Sequence, residues 1–139
     1  MRNLRALNLL LGLIFLVSCT ASEKREASNN EIVNLEPRDF EAKLSSLPDG
    51  VLIDVRTPEE VSGGMIEGAI NIDFKDPSFG EKISALDKDK PYFVYCLSGK
   101  RSGEAAKQME SAGFKNVYLL KEGYQKWTSD GLETVKPSN

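Results

Sequence analysis

Short apolar runs alternate with helically spaced apolar positions through residues 31–136 of this 139-residue chain. Strands are predicted at residues 32–35, 51–55, 69–72, 91–95 and 117–120. Helices are predicted from residue 37 onward and at residues 59–61, 79–86, 102–112 and 124–127. The nearly continuous apolar runs of the second and fourth strands are typical of strands covered on both faces of a parallel sheet. The pattern therefore predicts one α/β domain, with a central, mainly parallel five-stranded sheet flanked by helices.

The N-terminal segment has the pattern of an export signal. Two arginines lie within residues 1–5, and residues 6–17 are almost entirely apolar. That run is too short to cross a bilayer, which needs about 20 residues of helix, whereas a basic start and a short apolar core are typical of a secretory signal. Residues 16–19, with the sequence LVSC, resemble the bacterial lipobox, in which the cysteine is lipidated after cleavage. The alternative is an apolar helix of the domain, with Cys19 as a buried residue.

We expect residues 1–18 to be removed as a lipoprotein signal peptide and Cys19 to carry the lipid. Residues 19–30 have no periodic apolar face, so they are expected to form a flexible tether between lipid and domain. The domain itself is expected over residues 31–136. This organisation predicts an exported protein of the bacterial cell envelope, lipid-anchored to a membrane and facing the periplasm or the cell exterior.

Composition excludes several kinds of site. The chain has 18 basic and 21 acidic side chains, a net charge of -3, and this balance argues against nucleic-acid binding. It contains no histidine, so catalytic dyads with histidine and histidine-ligated metal sites are impossible. Its two cysteines, Cys19 and Cys96, do not form a CxxC pair. No metal and no cofactor are therefore predicted, and the sequence names no protein partner.

Cys96 lies at the predicted turn from the fourth strand into the next helix, at the edge of a parallel sheet where ligands collect. The loop residues that follow it are Leu97, Ser98, Gly99, Lys100 and Arg101. Backbone amides in such a turn, with the helix N-terminus behind them, favour an anion and hence a thiolate. Lowering a pKa by about two units takes roughly 2.7 kcal/mol, and a helix terminus supplies only about 0.3 to 1 kcal/mol, so other loop groups must contribute. The alternative is an inert cysteine buried at a strand end.

Four segments resemble the signature motifs of rhodanese-domain sulfurtransferases, and they occur along the chain in the same order as in that family. Residues 96–102, CLSGKRS, resemble the active-site loop of that family, which has the pattern C-x-S-G-x-R-S. Residues 52–60 (LIDVRTPEE), 68–72 (GAINI) and 118–127 (YLLKEGYQKW) are similar to three further segments of the family. Together the matches extend over the whole expected domain. The resemblance implies a small α/β domain with a parallel sheet.

The resemblance also implies a sulfurtransferase that works in two steps. The Cys96 thiolate would take the outer sulfur of thiosulfate or a similar donor and carry it as a persulfide. A nucleophile such as cyanide or a thiol would then remove that sulfur. Residues 97–101 would form the cradle around it, with Lys100 and Arg101 attracting the anion.

Five side chains outside the loop carry further expectations. Arg56 and Glu60 are four residues apart, which predicts an ion pair between them, and Asp54 is expected to be structural rather than a general base. Met65 stands where the family often has histidine, so a change in packing with little effect on chemistry is expected. Glu122 stands where the family commonly has a glycine near the mouth of the site, and its charge is expected to disfavour a dianionic donor.

Two other functions stay open from the sequence. A cysteine phosphatase or arsenate reductase uses a loop of the form C-x5-R, whereas Cys96 and Arg101 are in the order C-x4-R. One residue fewer, at about 3.6 Å, reduces the radius of a ring-shaped loop by roughly 0.6 Å, which suits a single sulfur atom better than a tetrahedral oxyanion. The other alternative is a non-catalytic rhodanese module used for binding or as a scaffold, although such modules often lack the nucleophile.

Overall fold

Five parallel strands form one sheet at the centre of the molecule. The computed structural model describes residues 30–138. The strands are β1 (Glu31–Leu35), β2 (Val51–Asp54), β3 (Ile70–Asn71), β4 (Pro91–Tyr95) and β5 (Asn116–Leu120). Their order across the sheet is β1-β5-β4-β2-β3, and each neighbouring pair is parallel. The predicted α/β fold with a five-stranded sheet is confirmed, and this sheet is parallel throughout.

Helices alternate with the strands along the chain. They are α1 (Pro37–Ser46), α2 (Pro58–Ser62), α3 (Phe79–Ser84), α4 (Lys100–Ser111) and α5 (Gly123–Ser129). α1 and α2 each begin with a proline, whose missing N–H has no partner to lose at that position. α4 begins two residues before its predicted start, because Gly99 turns the chain into the helix with a left-handed φ of 93°. β3 is shorter than predicted, with two residues rather than four.

The core lies on both faces of the sheet. Side chains of β4 alternate between the faces, so Tyr92 and Val94 pack on one side and Phe93 and Tyr95 on the other. The first side is covered by the inner face of α4, and the second by α1 and α5. Cys96 continues the alternation and lies on the α4 side. The pattern of β4 therefore directs the cysteine toward the helix that follows it.

The predictions for the N-terminal segment fall outside the described part of the chain. The signal peptide, Cys19 and residues 20–29 do not belong to the described range, residues 30–138. Within that range, no helix combines the length and the apolar content needed to cross a membrane. The lipid anchor and the tether stay predictions.

Candidate active site

The chain leaves β4 at Cys96 and curls into a tight loop that closes on the cysteine sulfur. The backbone amide of Gly99 donates to Cys96 Sγ at 3.1 Å, and the Ser102 hydroxyl donates to the same atom at 3.4 Å. Gly99 permits this return with a φ of 93°, a conformation that strains residues with a side chain. Ser102 lies in the first turn of α4 and is fully buried. The sulfur is thus held by donors from the loop and from the helix behind it.

These donors favour the thiolate form of Cys96. Burial, the largest influence, by itself raises the pKa of the thiol. Hydrogen bonds from the Ser102 hydroxyl and from the amides of Ser102, Ser98 and Gly99 act in the opposite direction. Together they hold the pKa of Cys96 below its ordinary value. The groups that stabilise the thiolate are therefore backbone amides and a hydroxyl. Among residues 30–138, no group of three or more cysteine, aspartate and glutamate side chains could hold a metal ion.

Cys96 is only 1% exposed, which also fits the alternative of an inert core cysteine. Packing alone explains the burial but not the donors that converge on the sulfur, because an inert thiol needs none. The loop above the sulfur is open to solvent, since Leu97 is 40% exposed and Ser98 and Lys100 are exposed as well. The sulfur therefore lies at the boundary between an exposed loop and the core.

Arg101 pairs with Glu60, a residue 41 positions earlier in the chain. Two hydrogen bonds of 2.7 Å join its guanidinium to the two carboxylate oxygens, and this partner lowers the pKa of Glu60 to about 2. Glu60 is positioned by a capping box at the start of α2, where its carboxylate and the Thr57 side chain each accept the other residue's backbone amide. Glu60 thus offsets the charge of Arg101. The other cation of the loop, Lys100, has no ion pair within residues 30–138.

The predicted ion pair between Arg56 and Glu60 is wrong. Arg56 instead pairs with Asp54, with 2.6 Å between Arg56 Nη2 and Asp54 Oδ2. The four-residue spacing applies inside a helix, whereas Arg56 precedes the first residue of α2. Its guanidinium also donates to the Gly64 carbonyl at 2.8 Å and lies 3.9 Å from the centre of the Tyr124 ring. Both members of the pair are buried, which supports the structural role predicted for Asp54.

The N-terminus of α5 holds the loop from the other side, a support that the sequence pattern did not indicate. The amides of Tyr124 and Gln125 donate to the carbonyl oxygens of Cys96 and Leu97, at 2.7 and 3.1 Å. Gly123 permits this approach, because a Cβ at its position would lie 2.5 Å from the Cys96 carbonyl oxygen. These residues belong to the last of the four family-like segments, and the glycine within that segment was the available signal.

Gly123→Ala is expected to disturb both the fold and the loop. The added Cβ forces the backbone of Cys96 and Leu97 to move, and a side chain in the left-handed region is itself strained, here at a φ of 66°. We expect the free energy of unfolding in urea to fall by about 2 kcal/mol or more. We also expect the pKa of Cys96, followed by thiolate absorbance, to rise as the loop amides move away from the sulfur.

Gly131→Ala is the matched control for that variant. Gly131 also has a left-handed φ, 74°, but a Cβ there would meet nothing within 4 Å. The Gly131→Ala variant should therefore lose only the roughly 1 kcal/mol of unfolding free energy that a side chain costs in the left-handed region. The pKa of Cys96 should stay unchanged. Equal effects of the two substitutions would show that the contact between Gly123 and the loop is unimportant.

The two departures from the family pattern have different surroundings. Met65 is buried and forms an antiparallel bridge with Val135, so its side chain contributes to packing. Glu122 is exposed, and its φ of 57° makes it the one non-glycine residue with positive φ in the described range, residues 30–138. Its backbone nitrogen lies 3.5 Å from the point that a Cβ on Gly99 would occupy. Glu122 therefore lies against the Cys96 loop.

Comparison with known proteins places this fold and loop in a family. Residues 36–130 match the rhodanese-like domain. A sulfurtransferase of Allochromatium vinosum is 30% identical over 103 residues, and the match covers 74% of this chain and 94% of the relative. The thiosulfate:glutathione sulfurtransferase of Saccharomyces cerevisiae is 33% identical over 121 residues, and the match covers 76% of this chain and 87% of the relative. The crystal structure of a rhodanese-related protein from Thermoplasma volcanium matches with a TM-score of 0.66 and 28% identity, over 76% of this chain and 99% of that one. The chain therefore belongs to the rhodanese-like domain family.

Proposed function

We propose that this protein is a sulfurtransferase that carries sulfane sulfur as a persulfide on Cys96. The observation that carries the proposal is the loop that closes on Cys96 Sγ, to which the Gly99 amide and the Ser102 hydroxyl donate. Donors that stabilise a thiolate also stabilise the terminal sulfur of a persulfide anion, because both are anionic sulfur. The sulfurtransferases among the relatives support the same class of reaction.

The reaction takes two steps at one sulfur atom. In the first, the Cys96 thiolate attacks the outer sulfur of thiosulfate, the S–S bond of the donor breaks, and its electron pair leaves with sulfite. In the second, cyanide or a thiolate attacks the terminal sulfur of the persulfide, so that thiocyanate or a new persulfide departs and the Cys96 thiolate returns. Charge balances in both steps. No external oxidant, reductant or histidine is needed.

We propose thiosulfate, or a similar sulfane compound, as the donor and a thiol or cyanide as the acceptor. Lys100 is exposed at the first position of α4, where its charge attracts an anion to the loop. The deep position of Cys96 favours a donor that presents a single sulfur atom at its tip. The name of the yeast relative, which refers to thiosulfate and glutathione, supports this donor and a thiol acceptor.

The surroundings of Arg101 disfavour the alternative of a phosphatase or arsenate reductase. In such an enzyme the guanidinium would have to hold the substrate oxyanion, but its Nη1 and Nη2 both donate to Glu60. The scaffold alternative is disfavoured by Cys96 itself, because a module that only binds a partner has no need of donors converging on a thiol.

Mass spectrometry of the intact full-length chain tests the proposal. After incubation with thiosulfate and removal of the excess, we expect the mass of one added sulfur atom. Dithiothreitol should remove it, and cyanide should remove it as thiocyanate. If neither thiosulfate nor an organic thiosulfonate adds sulfur, the proposal is wrong, and turnover of phosphate esters in the same preparation would favour the phosphatase alternative.

We also propose that Cys19 anchors the protein to a membrane of the bacterial cell envelope through a lipid. The support is the sequence pattern of residues 1–19. Cys19→Ala is expected to move the bacterially expressed protein from the membrane pellet to the soluble fraction, because the acyl chains would be lost. Cys96→Ser, which keeps the lipobox, should stay in the pellet. Wild-type protein in the soluble fraction would contradict the anchor.

A further inference from the structure

The backbone of Glu122 adopts a conformation that favours glycine. Its φ of 57° lies in the left-handed region. Within residues 30–138, all other residues with a φ in that region are glycines. A side chain is strained there, and strain of this kind concentrates at functional sites. Glycine would relieve it. The outlier therefore directs attention to what the glutamate side chain does.

Glu122 lies beside the nucleophile. Its backbone N and Cα are 3.5 and 3.8 Å from the point that a Cβ on Gly99 would occupy, and the Gly99 amide donates to Cys96 Sγ. The next residue, Gly123, is packed against the backbone of Cys96. The Gly99 amide thus lies between the backbone of Glu122 and the sulfur. A side chain of this length can place its charge on the order of 10 Å from a donor at Cys96.

Lys121 and Lys126 lie close enough to Glu122 to interact with its charge, but each forms its ion pair with another carboxylate. Lys121 pairs with Glu36 and Lys126 pairs with Asp130, each with 2.5 Å between nitrogen and oxygen. Within residues 30–138, Glu122 has no ion pair of its own. Its negative charge is therefore only partly offset by the two lysines and still acts on an approaching anion.

Charged side chains of both signs surround the mouth of the loop. Lys100 attracts anions, and Arg101 contributes little net charge because it is paired with Glu60. Glu122 opposes Lys100. Removing the Glu122 carboxylate would therefore make the mouth of the loop more positive.

We propose that Glu122 determines donor selectivity by disfavouring dianionic sulfur donors relative to monoanionic ones. This inference rests on the proposed function. The repulsion scales with the charge of the donor, so a dianion is affected twice as strongly as a monoanion. Both kinds of donor react by the same exchange: the Cys96 thiolate attacks the outer sulfur, the S–S bond breaks, and the electron pair leaves with sulfite or with a sulfinate.

Thiosulfate and methanethiosulfonate form a suitable donor pair, because they react alike and differ by one negative charge. Glu122→Gln removes the carboxylate charge and keeps the length of the side chain. At low ionic strength we expect it to raise the rate constant for sulfur loading of the full-length chain about threefold with thiosulfate and less than twofold with methanethiosulfonate. Both gains should disappear in about 1 M salt, where charges are screened within about 3 Å.

Two further variants separate charge from strain. Glu122→Gly should show the same change in donor selectivity and a higher melting temperature, because glycine relieves the left-handed backbone. Glu31→Gln makes the same change in net charge at the start of β1. This position lies at the amino ends of the parallel strands, whereas the Cys96 loop lies at their carboxyl ends. The Glu31→Gln variant should load sulfur from both donors at the wild-type rate.

The outcomes distinguish this inference from the proposed function. If Glu122→Gln loads no faster than wild type with thiosulfate, or gains equally with both donors, the selectivity role is wrong while sulfur loading itself stands. A gain with Glu31→Gln equal to that with Glu122→Gln would show an effect of net charge alone and would also overturn it. If wild type gains sulfur from neither donor, the proposed function fails and this inference fails with it.

Discussion

Cys96→Ser is expected to leave the fold intact and to lower the rate of sulfur transfer by at least about 10³-fold. Serine is close to cysteine in size, and its oxygen can accept the hydrogen bond that the Gly99 amide now donates to sulfur. A hydroxyl does not ionise near neutral pH, and an oxygen that accepted sulfur would not form a persulfide. The measurements are the intact mass after incubation with thiosulfate and the rate at which thiocyanate forms from thiosulfate and cyanide.

Thermal unfolding of the same variant provides the control. A melting temperature within a few degrees of wild type would show that lost activity reflects the missing thiol rather than a lost fold. Ser98→Ala is a useful companion, because it retains the thiol and the backbone amide at that position, which favours the thiolate. It should keep most of the transfer rate. Transfer at the wild-type rate by Cys96→Ser would remove the chemical basis of the proposed function.

Local patterns predicted the sheet and the position of Cys96. The apolar run of β4 fixes a buried strand, and a strand followed by a polar loop with Gly99 predicts a turn at its carboxyl end. The period of two along β4 also decides on which face Cys96 lies. These features depend on neighbours within a few residues, which the sequence displays directly.

The contacts that complete the loop join distant parts of the chain, so spacing alone did not predict them. Glu60 and Arg101 are 41 residues apart, and no periodicity relates them. Spacing suggested Arg56 as the partner of Glu60. Arg56 is instead buried beside Asp54, whose carboxylate is the acceptor closest to the guanidinium. One signal was available: Thr57 and Glu60 fit the capping-box pattern, which engages Glu60 at the start of α2.

Arg56→Met is expected to lower the free energy of unfolding by about 3 to 5 kcal/mol, a large share of the roughly 5 to 15 kcal/mol typical of a domain. Asp54 is 0% exposed and Arg56 is 2% exposed. Without the guanidinium, the Asp54 carboxylate keeps the hydrogen bonds from the backbone amide at position 56 and from the Tyr95 hydroxyl, but it has no counter-charge in contact with it. The Gly64 carbonyl and the face of the Tyr124 ring also lose their contact with Arg56. Urea denaturation followed by circular dichroism gives the free energy and shows whether unfolding stays two-state.

The double variant Asp54→Asn with Arg56→Met tests whether the uncompensated charge is the cause. Asparagine keeps an oxygen that can accept from the backbone amide at position 56, as Asp54 Oδ1 does at 3.0 Å, but it carries no charge. Replacing both members of a buried pair is often far less harmful than removing one, so we expect the double variant to be more stable than Arg56→Met alone. If the double variant is the less stable of the two, the loss comes instead from the contacts of the guanidinium with Gly64 and Tyr124, and the ion pair is not what holds this side of the site together.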